Sequence, residues 1–386
     1  MNKKKIIVFT GSRADYGILK PLLELLKADK LIHLSVIASG SHFSQEHGLT
    51  YKFIEKDGFC IDEKIDMLLN SDNPVGICKS IGLGVIGYCD MLDRIKPDAI
   101  VLLGDRYEAF SMAIAAHVMR IHIIHIHGGE CTIGAIDDAF RHSITKMSTL
   151  HFASTDTYRK RIVQLGENPV NVFNVGSLSV ENIKKMNFFS KRELKKLIGV
   201  TFEKDTVLIT YHPVTLDNNK AKEQIINLIN SIDKFKTVQT IFTMANVDAE
   251  GKKINEIIKN YCFSNIGKAF CFETLGQKLY LSVMKNSKLI LGNSSSGIIE
   301  APSFKVPTVN IGDRQQGRVH ASSVINCDTS EESITKSIKY ALGKDFLEKI
   351  KKIRNPYFKA NTALNILKII KNYKFTHDLK KEFYTL

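Results

Sequence analysis

Apolar β-branched runs alternate with amphipathic stretches along almost the whole chain, and this alternation restricts its folding more sharply than any other feature. A strand covered on both faces reads as a short continuous apolar run, and the amphipathic segment after it supplies the cover. The pattern therefore specifies βαβ units around parallel sheets. In the first half, strands are expected at Ile6 to Thr10, Ile32 to Ile37, Asp98 to Leu103, Ile121 to Ile126, His151 to Ser154 and Val172 to Val175. Helices are expected at Ile18 to Lys27, Ser80 to Lys96, Ala109 to Arg120 and Asp137 to Thr149, with one more ending at Leu165. After Gly176 the pattern restarts, with strands at Thr206 to Thr210, Thr237 to Met244, Lys288 to Leu291 and Thr308 to Ile311, and helices at Lys222 to Phe235 and Ile254 to Tyr261. The expected fold class is α/β, two Rossmann-like doubly wound domains facing a cleft.

The length of 386 residues suits two domains at roughly 150 residues each. The expected division is 1–178, then 179–358, then a C-terminal segment 359–386 whose helix is free to pack back on the first domain. A content of 44% hydrophobic and 24% charged residues excludes a disordered chain. Lys and Arg total 54 against 40 for Asp and Glu, a formal net charge of +14, but the Lys excess is scattered, as at Lys195-Lys196 and Lys252-Lys253. A small polyanionic ligand suits such a chain as well as nucleic acid does, and neither a nucleic-acid nor a membrane partner is expected. No stretch approaches the ~20 apolar residues of a membrane span, and Met1-Asn2-Lys3-Lys4-Lys5 leads directly into a strand. The 7 Cys include no Cys-x-x-Cys pair, which fits reduced thiols and a cytoplasmic location.

Polar residues concentrate just after the strands, where doubly wound sheets bind ligands. Gly11-Ser12-Arg13-Ala14-Asp15 offers backbone N–H groups and Arg13 to a phosphate, although an ordinary turn with an exposed Arg would read the same. Leu103-Gly104-Asp105-Arg106 puts a proton acceptor, Asp105, beside an anion clamp, Arg106, or else a self-satisfied ion pair. Ile124-His125-Ile126-His127-Gly128-Gly129-Glu130, followed by Asp137-Asp138 and Arg141-His142, gathers titratable groups within a few residues. The spacing lacks a helical His-x-x-x-His or a facial triad, so acid–base chemistry is favoured over a metal; Asp137-Asp138 would also cap a helix. Thr210-Tyr211-His212-Pro213 places His212 at a strand end, as a structural or a catalytic His.

Gly292-Asn293-Ser294-Ser295-Ser296-Gly297 follows a strand and offers N–H and O–H donors to a diphosphate, with Glu300 one turn on as an acceptor for ribose hydroxyls. A well-capped helix start would carry the same residues. Arg314 and Arg318 would add cations. With neither a Rossmann Gly-x-Gly-x-x-Gly nor a zinc signature, no cofactor and no metal are expected. These residues suggest a nucleotide-linked substrate, with chemistry on its sugar falling to Asp105, Glu130, Asp137 and His212.

The motifs Gly11-Ser12-Arg13-Ala14-Asp15-Tyr16-Gly17, Leu103-Gly104-Asp105-Arg106-Tyr107-Glu108, His125-Ile126-His127-Gly128-Gly129-Glu130, Tyr211-His212-Pro213, Gly292-Asn293-Ser294-Ser295-Ser296-Gly297 and Asn355-Pro356-Tyr357-Phe358 resemble, in order, those of the UDP-N-acetylglucosamine 2-epimerase family. The resemblance is greatest to its hydrolysing, NeuC-like branch. It implies a GT-B-like pair of Rossmann domains with UDP between them, and conversion of UDP-N-acetylglucosamine and water to N-acetylmannosamine and UDP, without metal or nicotinamide. Hydrolysis of a UDP- or GDP-linked N,N'-diacetylbacillosamine and a non-hydrolysing epimerisation are the alternatives. By motif, Asp105 and Asp137 match catalytic carboxylates and His212 a catalytic or phosphate-contacting His. Arg13, Ser294, Ser295, Glu300 and Arg318 match nucleotide contacts. Many members have Glu where this chain has His127, so that role passes here to His127 or to Glu130. Family members are commonly dimers or tetramers, which implies a homodimer or homotetramer.

Overall fold

The computed structural model describes residues 3–45, 48–69, 73–133, 135–213, 220–245, 249–376 and 378–385. In chain order the first elements are β1 (Lys4–Thr10), α1 (Arg13–Ala28), β2 (Ile32–Ser39), α2 (Tyr51–Lys56), β3 (Glu63–Ile65), α3 (Pro74–Ile95), β4 (Ala99–Leu103), α4 (Tyr107–Val118), β5 (His122–Ile126), α5 (Asp137–Met147), β6 (Leu150–Ala153), α6 (Asp156–Gln164), β7 (Val172–Asn174) and α7 (Leu178–Lys185). There follow α8 (Lys191–Ile198), β8 (Thr206–Thr210), α9 (Ala221–Asp233), β9 (Gln239–Thr243), α10 (Ala249–Ser264), β10 (Ala269–Phe272), α11 (Gly276–Asn286), β11 (Leu289–Gly292), α12 (Ser295–Ile299), β12 (Thr308–Ile311), β13 (Val324–Cys327), α13 (Glu331–Ala341), α14 (Lys344–Ile350) and α15 (Thr362–Asn372). Two compact units result. The first comprises Met1–Glu130, Asp137–Asn182 and Tyr357–Leu386, the second Cys131–Ile136 and Ile183–Pro356.

In the first unit seven parallel strands lie in the order β3-β2-β1-β4-β5-β6-β7. Alternate residues of β1 feed opposite faces: Ile6 and Val8 join Leu19, Leu22 and Leu23 of α1, while Ile7 and Phe9 join Tyr88 and Met91 of α3. The second unit repeats the plan with six parallel strands, β10-β9-β8-β11-β12-β13. In each sheet the strand order reverses direction beside its first strand, between β1 and β4 and between β8 and β11. Such switch points open a crevice outside the carboxyl ends of the strands.

Several elements depart from the sequence reading for identifiable reasons. Helix α1 starts at Arg13 rather than Ile18, because the Ser12 hydroxyl caps it by accepting from the Asp15 N–H at 3.3 Å. Helix α3 starts at Pro74, capped by Asn73, whose side chain accepts from the Gly76 N–H at 2.8 Å. The polar stretch between the expected domains carries α7 and α8, the latter opened by a Ser190/Glu193 capping box. The unexpected strands β3, β10 and β13 are short edge or near-edge pieces, incompletely buried, and so lack an apolar run.

Helix α3 is also more apolar than expected. An 18-residue window has mean hydropathy 1.4, long and apolar enough to cross a membrane by composition, with 33% of it buried. Tyr88 pins this helix to the sheet by donating to Ser39 Oγ at 2.7 Å. Helix α15 lies in the first unit, with Ala363, Ile366, Leu367 and Ile370 sharing the core of α1 and β1. The Lys4 ammonium donates to the carbonyls of Ile370 and Tyr373, at 3.2 and 2.6 Å, and caps that helix's C-terminal end.

Candidate active site

In the first unit the loops after β1, β4 and β5 carry the expected residues. Asp105 follows β4, and its carboxylate accepts a charge-assisted hydrogen bond from the buried Arg141 of α5. The same guanidinium donates to the His127 carbonyl at 3.2 Å and lies 3.7 Å from Glu130 Oε2. Glu130 is buried, accepts from the Ser154 hydroxyl at 2.8 Å, and has its Oε1 3.8 Å from His127 Nδ1. Asp105, His127, Glu130 and Arg141 therefore form one linked set, with Asp137 opening the helix that supplies Arg141.

The backbone beneath this set is held tightly. His127 has φ +65°, a left-handed conformation costing on the order of 1 kcal/mol for a residue with a Cβ. Its N–H donates to the Phe152 carbonyl at 2.9 Å while its own carbonyl takes Arg141. Gly129, at φ +75°, is required, because a Cβ there would stand 2.5 Å from the Tyr158 carbonyl oxygen. His125, fully buried, donates from Nε2 to the Gly104 carbonyl at 2.8 Å, and its Nδ1 faces Thr145 Oγ1 at 3.1 Å. It thereby braces the turn that presents Asp105 against α5, and burial pushes its pKa down to about 3, so it works as neutral imidazole.

A second cluster forms where α1 and α4 begin. Arg106 makes a two-pronged ion pair with the buried carboxylate of Glu108, at 3.2 and 2.8 Å, which raises the guanidinium's pKa further. Asp15 has its pKa raised to about 6, mainly by burial and in lesser part by Glu108 and Asp105, against the opposing pull of Arg106. Arg13 lies over the Phe53 ring, 4.1 Å from its centroid. His42 is buried between two hydroxyls, Thr10 and Thr50, each at 2.9 Å, and burial lowers its pKa to about 4. Because the Thr10 hydroxyl donates to the Ser12 carbonyl, His42 Nε2 is the donor to Thr10. That chain of bonds stiffens the turn bearing Arg13.

In the second unit the loops after β8 and β11 meet. Asn293 accepts from the His212 N–H and donates to the His212 carbonyl, both at 2.7 Å. The Asn293 carbonyl takes Arg314 at 3.1 Å and Gln315 at 2.8 Å. Gly292, at φ +130°, passes so close to β8 that a Cβ would fall 2.0 Å from the Thr210 carbonyl oxygen. Burial, helped by Arg314, lowers the His212 pKa to about 3, and its buried Nδ1 meets no hydrogen-bond partner among the described residues. Ser294 caps α12, its side chain accepting from the Ser296 N–H at 3.4 Å, and Ser295, Ser296 and Gly297 form its first turn. Glu300 ends α12 and interacts with the Tyr280 phenol, as do Ser294 and Ser296. Arg318 is buried and committed to the Cys131 carbonyl at 2.9 Å and the Thr132 hydroxyl at 3.0 Å.

Each expected residue therefore falls in a loop or helix start after a strand, except Glu300, which closes α12, and Arg318, which braces residues 131–132. Arg106 is tied to Glu108 rather than to Asp105. The sequence reading overlooked Asp15, Glu108, His42 and His125 as parts of these sites, and valued Arg141 only as a motif letter. A fixed offset could have exposed Arg141, which lies one helical turn beyond Asp137 and faces the same way as that residue.

A sequence model described as UDP-N-acetylglucosamine 2-epimerase matches residues 24–371. A Campylobacter jejuni protein named GDP/UDP-N,N'-diacetylbacillosamine 2-epimerase (hydrolyzing) is 46% identical over 331 residues, 86% of each chain. The Escherichia coli polysialic acid biosynthesis protein P7 is 39% identical over 388 residues, 99% of this chain and 98% of that one. Among solved structures, a UDP-GlcNAc 2-epimerase from Neisseria meningitidis bound to UDP-GlcNAc superposes with a TM-score of 0.82 at 19% identity, covering 95% of this chain and 100% of that one. At that identity the likeness concerns the fold, which is GT-B-like.

Proposed function

This chain belongs to the UDP-N-acetylglucosamine 2-epimerase family, and from that premise we propose that it hydrolyses a UDP-linked 2-acetamido sugar with inversion at C2. The proton on C2 has no carbonyl beside it and is barely acidic, so departure of UDP from C1 must lead and build oxocarbenium character that acidifies it. The C2–H pair then closes the C1=C2 bond of a 2-acetamidoglucal, UDP leaves with its bonding pair, and the proton passes to a carboxylate. Water adds to C1 and a proton returns to C2 on the opposite face, giving the epimeric free sugar.

The observation that carries this reading is the linked set of Asp105, Arg141, His127 and Glu130 beside the first switch point. In it Asp105, oriented by Arg141, takes the C2 proton, and Asp137 or His127 returns one. Glu130, held by Ser154 and beside Arg141, keeps His127 and Arg141 in place. In the second unit His212 Nδ1, the α12 N-terminus at Ser294–Gly297 and Arg314 hold the diphosphate as its charge grows, and Glu300 accepts from the ribose. Arg13 and Arg106 offer further cations. The seven free cysteines suit the reducing cytoplasm, where we place the reaction.

For the sugar, the 46% identity to the Campylobacter protein supports a GDP- or UDP-linked N,N'-diacetylbacillosamine. A second reading is UDP-N-acetylglucosamine giving N-acetylmannosamine for sialic-acid synthesis, and the E. coli relative supports it over 99% of this chain. Incubation with each substrate in deuterated water should release UDP and an epimerised sugar carrying one deuterium at C2, the faster substrate being the natural one. An intact UDP-sugar as the sole product would overturn hydrolysis.

A further inference from the structure

We propose that residues 378–385 form a strap across the far end of α5, and that Lys381 is thereby a positioning residue for the reaction proposed above, on which this role rests. Helix α5 carries Asp137 and Arg141, and Arg141 orients the Asp105 carboxylate. Apolar packing holds this helix weakly. Of its 11 residues only Arg141, Ile144 and Thr145 are buried, so Ile144 is its one fully buried apolar side chain. Phe140 adds a half-buried stack on Phe110, with ring centroids 4.6 Å apart. A short helix with so little apolar cover depends on polar anchors at its ends.

Arg141 anchors α5 near the site, and the strap anchors the other end. An ammonium carries three N–H donors, and Lys381 directs its own at the Lys146 and Ser148 carbonyls, each at 2.7 Å, and at Glu167 Oε2, at 2.5 Å. Carbonyls at a helix C-terminus lack intrahelical partners and carry the negative end of its dipole, so a cation there satisfies and attracts them at once. Glu167, its side chain only 2% exposed, also takes Lys146 Nζ at 2.7 Å and faces His151 Nε2 at 3.0 Å. Burial by itself would raise the Glu167 pKa, yet hydrogen bonds from His151, Lys146 and Lys381 bring it down to about 2, and the carboxylate stays charged. His151 stands opposite His125 in the β5–β6 register, and His125 braces the turn that presents Asp105. The rest of the strap is seated independently. The Tyr384 N–H donates to the Gly166 carbonyl at 2.9 Å, and Phe383 lies so close to Gly166 that a Cβ there would stand 2.4 Å from its ring.

Lys381→Met keeps the stem and removes the donors. Hydrogen exchange should then become roughly tenfold faster in α5, and kcat should fall about tenfold while KM and UDP affinity stay nearly unchanged. The isotope effect on kcat from substrate deuterated at C2 should rise, because proton transfer to a displaced Asp105 comes to limit turnover. A mere loss of folded protein would leave that ratio where it was. Lys381→Arg, which keeps a charged donor at the helix end, should recover most of both changes, and Lys380→Met, on the exposed neighbour, should cause neither. Unchanged exchange in α5 would overturn the strap whatever the substrate. Faster exchange with kcat and isotope effect unmoved would overturn the positioning role. A wild type that releases UDP from no nucleotide sugar would overturn that role together with the reaction, while exchange in α5 would still decide the strap.

Discussion

Arg141 ties the first-unit site together, since one buried guanidinium holds the Asp105 carboxylate, the carbonyl of the left-handed His127 and the flank of Glu130. Lysine keeps the charge but not the planar fork, so Arg141→Lys should lower kcat by about 10²–10³ while leaving UDP affinity nearly unchanged. Steady-state kinetics beside calorimetric UDP titration would test that split. Asp15 behaves in the opposite sense to an ordinary carboxylate. Its pKa is 3.8 when unperturbed and about 6 in the folded chain, so the folded state holds a proton that the unfolded state gives up. The associated stability is complete below pH 3.8 and is lost as pH rises through 6. Asp15→Asn should therefore be more stable than wild type by about 1–2 kcal/mol at neutral pH, after allowance for its partial exposure, and no more stable near pH 3.5. Urea titrations at the two pH values would show the difference.

At the scale of elements, α15 shows how a sequence-distant helix becomes part of the first unit. Its apolar stripe of Ala363, Ile366, Leu367 and Ile370 enters the core of α1 and β1, and the Thr362 hydroxyl donates to the Val175 carbonyl at 2.7 Å. Truncating Ile366 to Ala should cost about 2–4 kcal/mol, read from the midpoint of urea unfolding, because the fully buried side chain has no solvent to expand into. The long helices and buried strands were legible because their periodicity is written in ten or more residues. Starts such as Arg13 of α1 and Pro74 of α3 were not, since they depend on single caps, Ser12 and Asn73. The strands β3 and β13 escaped because pairing on one side only leaves little apolar signal in three or four residues.

For the whole molecule, His42, His125 and His212 are held neutral, their pKa values lowered from 6.5 to about 4, 3 and 3. On unfolding in mild acid each takes up a proton, so each contributes stability that is lost as pH falls below 6.5. Burial shifts His142 and His151 the same way, while Asp15 gives up a proton in the same step, so uptake exceeds loss. Stability should then fall steadily as pH drops from about 6 to about 4.5, measurable from urea midpoints across that range. The alternation of apolar runs with amphipathic stretches determined by itself that this chain makes two parallel, doubly wound sheets and that the candidate site residues follow their strands, because burial on two faces and the chirality of βαβ crossovers leave few other solutions. Tertiary structure alone decided which charges meet. Arg106 could pair with Asp105 or Glu108, Arg141 with Asp137 or Asp105, and Arg318 with a ligand or with Thr132. Only the spacing of loops fixed by neighbouring strands chose among them, since Coulomb attraction and hydrogen bonding depend on distances of a few ångström that no linear spacing records.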